Sequence, residues 1–149
     1  MTNIVKSFKI GNKGEDIVID IYTKKGRKCE KSNGKINHDL ILDDTFYLEV
    51  KYDIMSKRTG NIAIEYHNSK KNTPSGISAT KADFWVHIAF TKTGDRMVYI
   101  APVSELKKWI ADNKPKKVII AGGDDNADLY IYGQDIAFGD GSPFKRIDI

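Results

Sequence analysis

Cysteine is nearly absent. Cys29 is the only one, so no internal disulfide can form and no zinc site can be built on several thiolates. A reducing compartment is the expectation. Long apolar runs are missing too: nothing approaches the ~18 consecutive apolar residues of a membrane span, and Met1 to Lys9 carries no apolar signal core. The expectation is a cytoplasmic protein with no membrane partner. Charge of one sign is scarce, with 24 Lys and Arg against 20 Asp and Glu, a formal net charge of +4. A chain that is 40% hydrophobic with so little net charge lies outside the disordered class. At this length about 68–70% of the unfolded surface is buried on folding, enough for a core without staples. No repeat or low-complexity linker interrupts residues 1–149, which read as one domain.

The positive charge that is present is clustered. Lys24 to Lys28, Lys57-Arg58, Lys70-Lys71, Lys107-Lys108 and Lys114 to Lys117 are separate basic groups that either line one surface for a polyanion or are solvated loops and helix ends. From Gly14 to Tyr22, Ile17, Ile19 and Ile21 alternate as in a strand, while Ile10, Ile17, Val18 and Ile21 fit a helical face; helix is the favoured reading, ending near Gly26. Leu40 and Leu42 mirror Phe46, Leu48 and Val50 across Asp43-Asp44, a β-hairpin pattern. Strands follow over 61–66, 84–90, 97–100, 118–121 and 129–132, with a helix over 105–113 capped by Ser104. The fold class expected is mixed α/β or α+β, with more strand than helix.

The hairpin carries the chemistry. Centred on Asp44, it places Asp39 opposite Glu49, with Cβ atoms about 4.5–5.5 Å apart. Period two puts Lys51 on the face of Glu49, and Phe46, Leu48 and Val50 on the other. Like charges facing each other destabilise a merely structural strand pair. A divalent cation between them would remove that penalty, and Mg2+ takes oxygen ligands while keeping waters and room for phosphate. The alternative is an exposed hairpin face with an ordinary Glu–Lys pattern.

With Asp39 followed by Glu49-Val50-Lys51, the chain resembles the PD-(D/E)XK nuclease superfamily, whose members include restriction endonucleases and Holliday-junction resolvases. His38-Asp39 stands for the Pro-Asp element, a departure at a residue that is not a ligand. The resemblance spans roughly residues 11–90. It implies a restriction endonuclease-like core with a mixed central sheet flanked by helices, and a metal-dependent DNA nuclease that hydrolyses phosphodiester bonds, in one version a structure-selective, resolvase-like endonuclease acting as a homodimer. It implies Asp39, Glu49 and the Val50 carbonyl as ligands of Mg2+, with Mn2+ as a substitute, and Lys51 as the catalytic lysine. Glu15 would be an auxiliary acid, with Glu65 its rival. The segment from Ser75 to Val86 looks like one found in small phage-type nucleases of this superfamily, which would make Ser75, Thr80 and Lys81 DNA contacts and the host cytoplasm the setting; an ordinary capped turn is the alternative.

Other patterns are weaker. His38, His67 and His87 lack zinc-hydrolase spacing, and Asp124 to Asp128 lacks the glycine and the final glutamate of a calcium loop. Tyr66, Tyr130 and Tyr132 fit core or cross-strand packing better than base stacking. Two further functional classes stay open: a non-catalytic nucleic-acid-binding module with the nuclease fold, and a phage protein-interaction or inhibitor domain.

Overall fold

Helix α1 (Asn3–Lys24) settles the ambiguity at the start of the chain. Val18, Ile21 and Tyr22, at i, i+3 and i+4, are buried, whereas Ile17 and Ile19 are only partly so; burying one helical stripe outweighs the local alternation. Its end is closed by Gly26 and Arg27 N–H groups donating to the Thr23 and Tyr22 carbonyls. The computed structural model describes residues 3–32, 39–122 and 126–147, residues 3–12 by their backbone alone.

Two sheets follow. The first contains β1 (Cys29–Lys31), β2 (Leu40–Leu42), β3 (Phe46–Tyr52), β6 (Phe84–Phe90), β7 (Arg96–Pro102) and β10 (Lys145–Arg146), in that spatial order. It is mixed: β3 and β6 run parallel, and the other neighbours are antiparallel. The second is antiparallel, in the order β5 (Thr73–Pro74), β4 (Asn61–Asn68), β9 (Ala127–Gly133), β8 (Lys117–Ile119). Three short or medium helices, α2 (Ser56–Thr59), α3 (Val103–Asp112) and α4 (Gln134–Ala137), and a 3-10 turn at Gly76–Ser78 complete the described elements. The fold class is the mixed α/β expected.

The hairpin register is the one the alternation predicts: Leu40 pairs with Leu48 and Leu42 with Phe46. Asp43 and Asp44 both adopt positive φ (53° and 56°), the left-handed pair that primed hairpin turns use. Arg27 fastens the turn, its Nε donating to Asp43 at 2.8 Å. By contrast, the strand expected over 61–66 joins the second sheet, inside the crossover between the parallel strands β3 and β6. Nothing in its own residues says so, because partner choice is non-local. Ser104 is not the cap of α3: the helix starts at Val103, whose N–H donates to the Asp83 carbonyl, and Pro102 occupies the capping position.

The first sheet is buried on both faces. Leu40, Leu42, Leu48, Val50, Val86 and Ile88 pack with Val18 and Ile21 of α1. On the other face, Trp85, Ala89 and Ala101 pack with Ile62, Ile64 and Tyr132 of the second sheet and with Leu106 and Trp109 of α3. The charged side of β3 therefore looks into the space between two sheets, not out into solvent as a simple hairpin would.

Candidate functional site

Asp39 sits where the β2–β3 ladder stops. The last paired residues are Leu40 and Leu48, and beyond them Asp39 Oδ2 accepts the Val50 N–H at 2.8 Å. The carboxylate thus does what a strand carbonyl would do one step further along. This fixes Asp39 beside Glu49 without a regular cross-strand pair, a local departure from the predicted ladder that still brings the two acids together. Glu49, when protonated, hydrogen-bonds Asp39.

Glu49 and Lys51 share a face, as period two requires. Glu49 Oε2 lies 3.3 Å from Lys51 Nζ, and Oε1 accepts the Thr80 hydroxyl at 3.2 Å. The Glu49 side chain is 15% exposed; its burial, with the Asp39 charge adding to it against the pull of Lys51, pushes the pKa up to about 7. Burial works against the charge on Lys51, but Glu49, Asp39 and Glu65 outweigh it and the ammonium is held above its ordinary range. Lys51 is therefore a fixed cation and not a base.

Beneath Lys51 lies a buried relay that the sequence did not reveal. Its Nζ stands 5.4 Å from the centre of the Trp85 ring, a cation–π separation. Trp85 and His87 are fully buried on β6, in register with Glu49 and Lys51. The Trp85 indole N–H donates to His87 Nδ1 at 3.1 Å. An indole nitrogen can only donate, so Nδ1 must carry the lone pair and Nε2 the proton, which it donates to Asp53 at 2.9 Å. Asp53 also accepts the Ala63 N–H at 2.9 Å, tying the relay to the second sheet. The signal was present only as an unexplained polar residue, His87, in an otherwise apolar strand.

Asp39, Glu49 and Lys51 line a cleft of about 390 Å3, closed on its far side by the segment from Asn68 to Thr80. Gly76 makes that wall possible. Its φ is +53°, and a Cβ there would stand 2.1 Å from the Glu65 carbonyl oxygen, so only glycine lets the turn lie against β4. Ser75 and Thr80, both predicted contacts, reach the cleft. The Ser75 hydroxyl is buried there without a hydrogen-bond partner among the described residues, while Thr80 is engaged, donating to Glu49 and accepting the Ala82 N–H at 3.1 Å. Asn68 and Lys71, not singled out in the sequence, line it as well; Asn68 is linked to the Lys71 N–H at 2.9 Å.

The remaining predicted residues lie around this centre. Glu15 is on α1, where Gly14 meets Tyr52 so closely that a Cβ would be 3.1 Å from Tyr52 Cβ. Burial and then the Asp39 charge raise the Glu15 carboxyl above its ordinary range, so it belongs to the field of Asp39 without lining the cleft. Glu65 stands to Lys51 as Glu15 does to Asp39, an acid felt but not among the lining residues. Val50 has its side chain in the core with α1, which leaves its backbone at the hairpin end. Lys81 is exposed next to Thr80. His38, Asp124 and Asp125 lie outside the described residues. His67 Nδ1 is 2.6 Å from Asp128, whose other oxygen accepts the Ala121 N–H and the Ser69 hydroxyl; Asp128 thus braces β4 and β9.

Among the described residues no three His, Cys, Asp or Glu side chains gather closely enough to hold a metal by themselves. Two facing carboxylates are what the cleft offers, which suits a cation that keeps several waters, as Mg2+ does with one or two carboxylates. The chain matches no family model, and no curated protein or solved structure is similar enough to be matched with it.

Proposed function

We propose that this chain is a Mg2+-dependent nuclease that hydrolyses phosphodiester bonds in DNA. The observation that carries the reading is the Asp39–Glu49–Lys51 group at the floor of an open cleft. Two neighbouring acids share this site, and burial and the Asp39 charge disfavour the ionised form of Glu49. Such an arrangement is what a site for a hard cation requires. The buried Ser75 hydroxyl on the opposite wall adds a donor with no partner among the described residues.

Asp39, Glu49 and the Val50 carbonyl would hold the ion, which when bound supplies positive charge against the phosphate oxygens and lowers the pKa of a coordinated water. The chain's own residues do the rest. Asp39 is fixed by the Val50 N–H and Glu49 by Thr80, so neither carboxylate must reorganise. Lys51, a permanent cation over the Trp85 ring, points a donor at the phosphate or the attacking water and offsets the negative charge that develops. Ser75 donates to a phosphate oxygen, Lys71 supplies charge in the cleft, and Lys81 supplies it from its exposed position next to Thr80. A resolvase-like version of this activity would require a dimer, since a two-fold junction needs two cuts.

The test is cleavage of end-labelled duplex, single-stranded, nicked and four-way-junction DNA with Mg2+, Mn2+ or EDTA, for the wild type beside Asp39→Ala and Lys51→Ala. Metal-dependent cutting that both substitutions abolish, with DNA binding retained, is the expected result, and the preferred substrate would identify the version. Absence of cutting, or cutting that survives both substitutions, would sink the proposal.

A further inference from the structure

Helix α3 sorts its charges onto two sides. Lys107, Ile110 and Ala111, at i, i+3 and i+4 of the helix, line a groove of about 440 Å3 with Lys114, just past the helix end, and with Ile77 and Tyr130. Glu105 and Asp112, the acids of the helix, line a different depression beside Trp109, together with Lys108. Among the described residues the groove therefore has two cations, no carboxylate and an apolar floor. Tyr130 is half-buried and stacks on Tyr66, ring centres 3.9 Å apart at 8°. Tyr66 does not line the groove, so it backs the Tyr130 ring from outside and holds it rigid. The turn Gly76–Ser78 is a wall common to both hollows: Ile77 and Ser78 line the groove, while Ser75, Gly76 and Thr80 line the cleft.

We infer that this groove binds single-stranded DNA running on from the cleft, one base against Tyr130 and the adjoining phosphates on Lys107 and Lys114. The inference rests on the nuclease reading of the cleft. Its chemistry is that of alternating base and phosphate, since an aromatic platform takes any base face and the lysines take the backbone. A duplex keeps its bases stacked inside and would leave the ring and the apolar floor unused. The position beside the cleft, across a single turn, places the site where one strand can occupy both.

Anisotropy of a 5′-labelled oligothymidylate in EDTA reads binding without cutting. Ala111→Glu puts an acid into the groove from an exposed helix position, clear of the core, and should weaken binding about tenfold or more, the scale of one stacked base. Lys107→Gln with Lys114→Gln should flatten the salt dependence by about 1.4 in log–log slope, roughly 0.7 for each lost phosphate contact. Tyr130→Phe, which keeps the ring, should bind like the wild type, and a duplex of the same length should be far less sensitive to Ala111→Glu. Equal binding by wild type and Ala111→Glu, no binding by wild type at low salt, or equal losses on duplex and single strand would each overturn the inference. The two readings fail separately. Cutting that persists unchanged in Ala111→Glu, with unaltered binding, removes the groove and leaves the nuclease; groove-dependent binding by a wild type that cuts nothing removes the nuclease and leaves a single-strand site.

Discussion

The two faces of β3 are built to opposite ends. Leu48 and Val50 point to α1 into a dry, close-packed layer. One residue along in each case, Glu49 and Lys51 point between the sheets, into a cleft walled by polar residues. The first face stabilises the fold, whereas on the second the burial of Glu49 acts against its charge and weakens the fold as the carboxyl ionises, while Lys51 is held charged by the acids around it. Because side chains alternate with period two, a single strand can divide these tasks with no more than a change of face.

The comparison is broken most sharply from its two sides at once. Leu48→Ala, in a fully buried position, should cost about 2–5 kcal/mol of unfolding free energy in urea titration. Lys51→Met should leave the midpoint nearly unchanged and lower metal-dependent cutting at least about a hundredfold. A Lys51→Met chain that unfolds like Leu48→Ala would show that the charged face is structural after all.

Glu49→Gln sharpens the point through its pH dependence. The carboxyl titrates near 4.5 in the unfolded chain and about 7 in the folded one, so below pH 4.5 it is protonated in both and costs nothing. As pH rises toward 7 the unfolded chain releases the proton first, and stability falls. Above 7 the full penalty is present, on the order of 3 kcal/mol for a shift of this size. In EDTA at pH 8, Glu49→Gln should therefore be more stable than the wild type, and Mg2+ should restore stability to the wild type alone.

A smaller effect is expected at the relay. Trp85→Phe preserves a ring under Lys51 but removes the only donor to His87 Nδ1 among the described residues, leaving a buried acceptor unsatisfied at a cost of about 1–3 kcal/mol. Thermal unfolding should register that loss, and cutting should fall by less than in Lys51→Met. The smallest effect belongs to the hairpin tip. Asp43→Ala removes the exposed Arg27 contact and should barely shift stability. It should leave DNA cutting intact, because the tip lies at the other end of β3 from Lys51.

Most of the hairpin was legible in the sequence. Alternating Leu40, Leu42, Leu48 and Val50 with Asp43-Asp44 between them admit one register, since a slip of one residue would put every leucine on the wrong face. The helix before it was legible as a choice of two, decided by burial of Val18, Ile21 and Tyr22. The relay was not legible, because Asp53 and His87 are 34 positions apart and meet only when β3 and β6 pair in parallel. Nor was the cleft: its far wall depends on β4 joining another sheet and on Gly76 lying against Glu65. The basic groups at Lys107 and Lys114 could be counted, but that they share a groove with Tyr130 was invisible.

By itself the sequence determined the local matters: the hairpin and its register, the common face of Glu49 and Lys51, the single thiol at Cys29 that excludes an internal disulfide, and an α/β composition of elements. These follow from periodicities of two and 3.6 residues and from turn chemistry, which act over a few residues. Tertiary structure alone decided that a second sheet covers the charged face, that Trp85, His87 and Asp53 support Lys51, and that the Asp39 carboxylate adds a bond to Val50 beyond the one its backbone N–H makes to Leu48. Those outcomes depend on which distant strands find each other, and that choice is made by the summed burial of the whole core.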